Sequence, residues 1–320
     1  MPSAMLRFVL GRVVRAAVLV FAVSSAALVL VHLAPGDPFS MFNLDPAVAA
    51  VERHRLGLDR PFVEQYAGWI GNSLRLDLGE SIRFRRPVSS LLAERIWNTL
   101  LLGVTALALA LGVGLPAGVC TGSRPRAWTS RAIGSVALLL VSVPPLVTSL
   151  VLLLLAARTG VLPPGGFDAP TGGSLWHALA ATVRFLPLPA LALALPLAAS
   201  LERLQSRAMA EAMREPSVLA ARARGISERR SIWVHAWRLS LRPILGVLGI
   251  VVGTVLSGSF IVEVVMSWPG LGDLMYQALV ARDLYLAAGC AAAGAVFLAA
   301  GLLAADLALL VADPRVAEGA

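Results

Sequence analysis

Six long stretches without a single charged residue constrain what this chain can fold into more than any other feature. They run over residues 16–36, 96–123, 132–157, 185–201, 243–262 and 284–305. A helix needs about 20 mostly apolar residues to cross a bilayer, and backbone groups in hydrocarbon must hydrogen-bond within their own segment. The sequence therefore predicts an all-α integral membrane protein with six transmembrane helices, near 9–33, 97–121, 132–157, 185–208, 243–265 and 285–309.

A soluble protein with buried core helices is the alternative. Only 14% of the residues are charged, whereas a soluble globular protein carries about a quarter. Six buried helices in such a chain would leave too little polar surface to cover them. The first stretch could also be a secretory signal peptide, but its charge-free run is too long, and His32–Pro38 is a poor cleavage site. We interpret it as a retained span.

Arginine placement predicts which way the spans cross. Basic residues collect in cytoplasmic connections. Arginines dominate the N-terminal tail, the turn 124–131 and the connection 202–242, which holds nine of them against four glutamates. The connections 158–184 and 263–283 carry few, and the segment 37–95 balances eight arginines against eight acids. We therefore expect both termini in the cytoplasm and the segment 37–95 outside.

All of the 27 basic residues counted as lysine or arginine are arginine. A phosphate-binding loop of the GxxxxGK[ST] type needs a lysine. ATP hydrolysis of that kind must therefore reside on another polypeptide, and we expect no cofactor on this chain. The two cysteines and four histidines lack ligand spacing, so no metal site is predicted. No nucleophile–base pair or HExxH motif lies in a span, which argues against an intramembrane enzyme.

The cytoplasmic connection before the fifth span has the pattern of two helices joined by a glycine. Residues 217–224 favour a helix, and Gly225 is suited to end it in the left-handed conformation. Ser227 can cap a second helix, 228–242, which we expect to stop at Pro243. The small alanines would let another backbone approach closely, as in a knob that fits a groove. The alternatives are a topology anchor or a lipid-headgroup patch; DNA binding is disfavoured because two spans confine the unit.

Prolines interrupt several of the predicted spans. Proline removes a helical hydrogen bond, which is tolerated in membranes where neighbouring helices or a water-lined cavity satisfy the freed carbonyls. The candidates for a translocation path are Pro144, Pro145, Pro189 and Pro196. No span carries the buried charge pair expected of an ion-coupled pump, and neither such a transporter nor a channel would explain the glycine-linked helices.

Long motifs over nearly the whole chain carry a family resemblance. They are LVHLAPGDPF at 30–39, the segment 56–88 that begins LGLDRPFVEQY, LPALALALPLAASLERLQSRAM at 188–209 and VEVVMSWPGLGDLMYQALVARD at 262–283. Together with Ala220, Ala221, Gly225 and Pro243 in the loop, they resemble a permease subunit of an ATP-binding-cassette importer. The family is that of the dipeptide, oligopeptide and nickel importers, and the chain is most similar to the first of its two paired membrane subunits.

The resemblance implies a type I importer permease fold and a set of partners. The loop would be the coupling helix that sits in a cleft of a separate ATPase. The residues that this assigns to coupling are Glu215, Ala220, Ala221, Arg222 and Gly225. Leu219 stands where the family usually has a polar residue. A second permease would complete the pore, two ATP-binding subunits would hold ATP and magnesium, and an external solute-binding protein would deliver cargo. The candidates for the face that receives this binding protein are Asp37, Glu263, Trp268 and Asp283.

The expected organisation has four parts in a multi-pass protein of the bacterial inner membrane. They are the tail and first span at 1–36, an extracytoplasmic segment at 37–95, a five-span core at 96–312 with the coupling loop at 209–242, and a cytoplasmic tail at 313–320. Membrane lipid is an expected partner and nucleic acid is not. The expected cargo is dipeptides or oligopeptides. Nickel, a metal chelate or glutathione is the alternative; no His, Cys or Asp cluster supports bare nickel, and a chelate would not need one.

Overall fold

A computed structural model describes residues 2–34, 39, 45–166 and 175–312. Asp37 and the predicted tail 313–320 lie outside these residues. The first helices along the chain are α1 (Pro2–Leu33), α2 (Pro46–Arg55), α3 (Phe62–Ser73), α4 (Val88–Ser123), α5 (Trp128–Ser142), α6 (Pro145–Thr159) and α7 (Leu175–Phe185). They are followed by α8 (Pro187–Ala212), α9 (Pro216–Ala223), α10 (Glu228–Arg230), α11 (Trp237–Val265), α12 (Leu271–Val280) and α13 (Leu284–Ala312). Among the described residues, β pairing is limited to one isolated bridge between Glu80 and Pro87.

Five of the helical stretches are long and apolar enough to cross a membrane. They are Leu10–Leu33, Val88–Ser123, Pro187–Ala212, Glu228–Val265 and Leu284–Leu309. The pair α5 and α6 passes the same test only when the two helices are taken together. The expected all-helical membrane architecture is thereby confirmed, with up to six spans in the described part of the chain.

The third predicted span, 132–157, is not a straight helix. Its two halves, α5 and α6, are bent by 107° at a short break. A residue before proline is pushed out of the helical region, and both Val143 (ψ 119°) and Pro144 (ψ 149°) are extended. Pro145 then starts α6 at a position where its missing N–H costs nothing. The sequence showed the proline pair, but a run of apolar residues does not specify a bend of this size.

The second helix of the loop does not stop at Pro243, which corrects the expectation. A single helical stretch runs from Glu228 to Val265 and passes through Pro243. It contains a π-helical turn at Ser231–Ala236. A π-helical turn alters the regular hydrogen-bonding pattern of a helix. Pro243, which follows within the next two turns, lacks a backbone N–H and so removes one more helical hydrogen bond. The second helix of the loop and the fifth span are therefore one continuous element.

The chain divides into two compact units, which we describe separately. The larger unit contains Met1–Leu10, Leu100–Trp268 and Ala300–Ala320, and the smaller contains Gly11–Thr99 and Pro269–Ala299. The division passes through α1, α4 and α13.

Helix α8 is the centre of the larger unit. In its most apolar window 61% of the residues are buried, compared with 28% for α4. Glycines of α4 permit direct backbone contact with it. A Cβ at Gly114 would lie 2.5 Å from the carbonyl oxygen of Ala198, and one at Gly122 would lie 2.2 Å from that of Ser206. Small residues at four-residue spacing are the usual means by which membrane helices approach so closely.

The smaller unit packs α3 against parts of α1 and α13. Its main cluster contains Leu28, Trp69, Leu284 and Ala288, which are almost fully buried. The Tyr66 hydroxyl donates a hydrogen bond of 2.9 Å to the Ser25 hydroxyl oxygen and so adds a polar tie between α3 and α1. The described part of the segment predicted as extracytoplasmic, residues 45–95, is therefore folded and is more than a linker.

Candidate functional site

Helix α9 is the first helix of the predicted coupling loop. It begins after Glu215, which has extended backbone angles and makes no side-chain cap bond. Pro216 occupies the first helical position, where proline is favoured because the N–H of that position has no helical partner. Glu215 is exposed at this end, and a carboxylate beside a helix N-terminus is electrostatically favourable.

Gly225 ends α9 as the sequence predicted. Its φ angle is +84°, in the left-handed region that glycine adopts readily. Its N–H donates to the carbonyl oxygen of Arg222 at 2.9 Å, and the N–H of Ile226 donates to that of Ala221 at 3.3 Å. These two bonds are the pair that defines a Schellman motif. A Cβ at Gly225 would meet no heavy atom within 4 Å, so only the backbone angle requires glycine here.

The two faces of α9 have different environments. Val218 is 0% exposed and packs in a cluster with Met209 and Ile232. Ala221, one turn away on the same face, is 1% exposed. The opposite face carries Leu219, Ala220, Arg222 and Ala223, all of which are exposed. Ala221 thus holds α9 on its own chain and offers no surface to a partner. Leu219 is 49% exposed, so the departure from the usual polar residue lies on the outer face.

The turn after α9 is tied to the rest of the larger unit at a second point. Ser227 occupies the N-cap position of α10, as expected, but its side chain makes no cap bond. Instead, the Arg124 Nε donates to the Glu228 Oε1 at 3.3 Å. Both side chains are at least half exposed, and such pairs contribute about 0–1 kcal/mol. The buried Val218 and Ala221, and not this ion pair, fix the position of α9.

Comparison with known proteins decides what kind of membrane protein carries this loop. Residues 114–318 match the family described as binding-protein-dependent transport system inner membrane component. Residues 5–103 match the N-terminal region described for membrane components of the same systems. The chain belongs to this family of transport permeases. Members of the family are transport components and not enzymes. The family description states that these transport systems depend on a binding protein. The chain is a multi-pass membrane protein.

Full-length relatives support the same assignment. The chain is 33% identical to a putative peptide permease protein of Brucella ovis over 98% of this chain and 99% of the relative. It is 30% identical to an oligopeptide transport system permease protein of Bacillus subtilis, with the same coverage of both chains. A di/tripeptide transport system permease protein of Pseudomonas aeruginosa is 34% identical over 82% of this chain and 84% of the relative.

The four prolines proposed for the permease's translocation path occupy different structural positions. Pro144 and Pro145 form the break between α5 and α6. Pro189 is buried in the first turn of α8, where a missing N–H does not bend the helix. Pro196 lies inside α8, and the Ser200 hydroxyl donates to its carbonyl oxygen at 3.0 Å. Their role in the path stays a prediction, and the first two lie at the bend of 107° between α5 and α6.

The three candidate residues for the binding-protein face that the structure describes are not on a surface, which corrects the expectation for them. Glu263 is 0% exposed and Trp268 is 2% exposed in the larger unit, and Asp283 is 0% exposed in the smaller. Side chains buried in their own chain cannot supply a contact face. The family motif identified residues that are important for packing. A sequence motif does not show which of its residues are exposed to solvent.

Two buried polar pairs in the larger unit were missed by the sequence analysis. The Thr121 hydroxyl donates to Glu202 at 2.5 Å, which joins α4 to α8, and the Gln205 amide donates to the Ser240 hydroxyl at 2.7 Å, which joins α8 to α11. All four side chains are at most 5% exposed. Polar side chains that bond across helices are a regular feature of membrane bundles. Glu202 directly follows the charge-free run 185–201 inside the predicted fourth span. An acidic residue at that position is the sequence signal that could have indicated a buried polar contact.

Asp283 has a structural role in the smaller unit. Its Oδ2 accepts hydrogen bonds from the Ser81 hydroxyl at 2.6 Å and from the Arg83 N–H at 3.1 Å. Its Oδ1 accepts from the Leu286 N–H at 3.2 Å, in the first turn of α13. One carboxylate therefore ties the turn after residue 80 to the start of α13. Burial raises the pKa of the Asp283 carboxyl, and these hydrogen bonds oppose the rise.

This raised pKa predicts a pH dependence of stability. A folded-state pKa above the unfolded value of about 3.9 means that ionised Asp283 costs stability, and that the cost disappears as the pH falls through the folded pKa. As the pH falls from about 7 to about 4, we expect the thermal unfolding midpoint of the wild type to rise relative to that of Asp283→Asn. The comparison cancels the other titrating groups. If the wild-type midpoint instead falls relative to that of Asp283→Asn at low pH, the carboxyl is held ionised in the folded protein and burial is not the dominant effect on its pKa.

Proposed function

We propose that this chain is one of two permease subunits in an ATP-driven importer of dipeptides or oligopeptides. The full-length relatives named as peptide, oligopeptide and di/tripeptide permeases support the cargo class. Separate ATP-binding subunits would bind at α9 and an external binding protein would deliver the peptide. The absence of lysine from the sequence supports the separate ATPase, because this chain cannot form a lysine-containing phosphate loop.

The observation that carries the proposal is the two-faced helix α9 with its fixed turn. Its inner face is held by Val218 and Ala221, and its outer face presents small and basic side chains around Ala220, Arg222 and Ala223. A short exposed helix of this kind fits a groove in a partner. A lipid-headgroup patch would not require a fixed end to the helix, whereas a docking element would.

The connection beyond Gly225 supports a mechanical role. The stretch Glu228–Val265 is one continuous helix, so a displacement of α9 would act directly on the fifth span. The cluster under α9 also includes Val119 of α4 and Met209 of α8. Closure of the ATPase would thus move several helix ends together, as expected for alternating access by rigid-body motion.

The distribution of arginines predicts a cytoplasmic position for this loop, which labelling can test. In a background with the exposed Cys120 replaced by serine, Leu74→Cys should react with a membrane-impermeant maleimide in intact spheroplasts. Ser227→Cys should react only after permeabilisation. Leu74 is 83% exposed, whereas Ser81, also in the external segment, is buried and unsuitable. The reverse labelling pattern would contradict the orientation and with it the coupling role.

The proposal predicts that Gly225→Val uncouples the transporter without preventing membrane insertion. A β-branched residue at φ +84° costs about 1–2 kcal/mol, or about five- to thirtyfold in an equilibrium. The turn would open and displace α9, while the spans would keep their contacts. We expect normal levels in the membrane, weak co-purification of the ATPase subunits and loss of peptide uptake into vesicles that contain the complete transporter.

Two variants separate this effect from general strain. Gly225→Asn should retain most of the coupling, because asparagine tolerates the left-handed conformation. Gly160→Val introduces the same kind of strain at φ +65°, after α6, where a Cβ also meets no atom within 4 Å. It should leave the ATPase bound. If Gly225→Val transports at the wild-type rate with the ATPase bound, the loop is a topology anchor and the proposal is wrong.

A further inference from the structure

A cavity of about 520 Å³ lies in the smaller unit, apart from the predicted coupling loop and the proline candidates. Its walls come from the end of α2, from α3 and from the chain around Glu80, with Tyr285 at one side. Its volume falls within the range of about 300–1,000 Å³ that is usual for small-molecule sites. None of the site residues predicted from the sequence lines this cavity.

Part of the cavity wall is fixed by ion pairs. Arg55 donates to both carboxylate oxygens of Glu80, at 2.7 and 3.0 Å, and to the Glu52 carboxylate at 2.8 Å. The hydrogen bond from Arg55 lowers the pKa of the Glu80 carboxyl. These groups satisfy one another and brace the end of α2 against the chain at residue 80. They are therefore not free to bind a ligand.

Other wall groups keep unused hydrogen-bonding capacity among the residues that the structure describes. The guanidinium of Arg60, the carboxylate of Glu64 and the amide of Asn72 make no side-chain hydrogen bond there, and each is exposed. Asp77 uses one carboxylate oxygen to accept from the Gly79 N–H at 3.0 Å. Trp69 is 6% exposed and its indole N–H has no acceptor within the described part, although buried indole N–H groups usually have one.

We propose that this cavity binds a short zwitterionic peptide, with its carboxylate on Arg60 and its ammonium group on Glu64 and Asp77. The inference rests on the proposed function, because peptide is the solute that would reach this segment. It adds a binding site on the permease itself, outside its membrane helices.

The signs and types of the free groups select this ligand class. A guanidinium is suited to a carboxylate, with which it can form two parallel hydrogen bonds. Glu64 and Asp77 supply the opposite charge on the same cavity, so neither a simple anion nor a simple cation would use all three. An apolar ligand would leave every charge unpaired. In the described residues no three His, Cys, Asp or Glu side chains group together to hold a metal ion.

Two glycines of α3 give a matched test of the cavity. Gly68 lines it, and a Cβ there would meet no atom within 4 Å, so we expect a leucine at this position to extend into the cavity. Gly71 lies on the same helix, also has open space around a Cβ, and does not line the cavity. Purified full-length chain in lipid nanodiscs, without ATPase or binding protein, should bind radiolabelled trialanine saturably. Gly68→Leu should weaken that binding by at least about tenfold, and Gly71→Leu should leave it unchanged.

Capped peptides test the charge assignment. Trialanine amide lacks the carboxylate, and N-acetyl-trialanine lacks the ammonium group. Arg60→Gln should weaken the binding of trialanine by at least about tenfold and should have no effect on the amide. Glu64→Gln should weaken the binding of trialanine and should leave the binding of N-acetyl-trialanine unchanged. A purely structural role of either residue would alter the binding of all three peptides alike.

The outcomes distinguish this inference from the proposed function. Peptide uptake by the complete transporter together with no trialanine binding by the isolated chain would overturn the inference alone. Equal binding by Gly68→Leu, or equal binding of a peptide capped at both ends, would overturn it as well. Absence of peptide uptake by the complete transporter would contradict the proposed function, whatever the nanodisc measurement gives.

Discussion

The need to hydrogen-bond every backbone polar group inside the protein governs this structure. In hydrocarbon no water is available to satisfy a free N–H or C=O, so the long charge-free runs become helices. The same requirement shapes the break in the third apolar run. There the Thr148 and Ser149 hydroxyls donate to the carbonyl oxygens of Pro144 and Pro145, at 3.3 and 2.7 Å. The start of α6, after the bend of 107°, is therefore hydrogen-bonded within its own turn.

The turn at Gly225 applies the same rule at the end of a helix. Two backbone bonds satisfy carbonyls that α9 would otherwise leave free, and only the left-handed φ of glycine allows both. The turn thereby sets the direction in which the continuous helix from Glu228 leaves α9. With Val218 and Ala221 buried beneath it, the exposed face of α9 has a defined position in the isolated chain. A partner can therefore bind a preformed surface, which reduces the entropy lost on binding.

Local patterns predicted a large part of this fold and a smaller part of the site. Apolar run length gave the spans, and Gly225 gave the end of α9 together with its backbone angle. Three features could not be predicted, because each depends on long-range packing. These are the passage of the helix through Pro243, the burial of Asp283 by the turn at Ser81, and the inward direction of Ala221. Family motifs identified Glu263 and Trp268 as special positions, but a motif records that a residue is required and not which way it faces.

The most direct test of the account is photo-crosslinking from the outer face of α9 to the ATPase. A photoreactive phenylalanine analogue at Leu219 or Ala223, both exposed, should crosslink to an ATP-binding subunit in membranes that contain the complete transporter. The same analogue at Val161, which is 81% exposed in the connection after α6, should not. Crosslinks to the ATPase from Leu219 and Ala223 alone are the predicted result. Crosslinking from Val161 with equal yield, or from neither position of α9, would contradict a docking role for this helix.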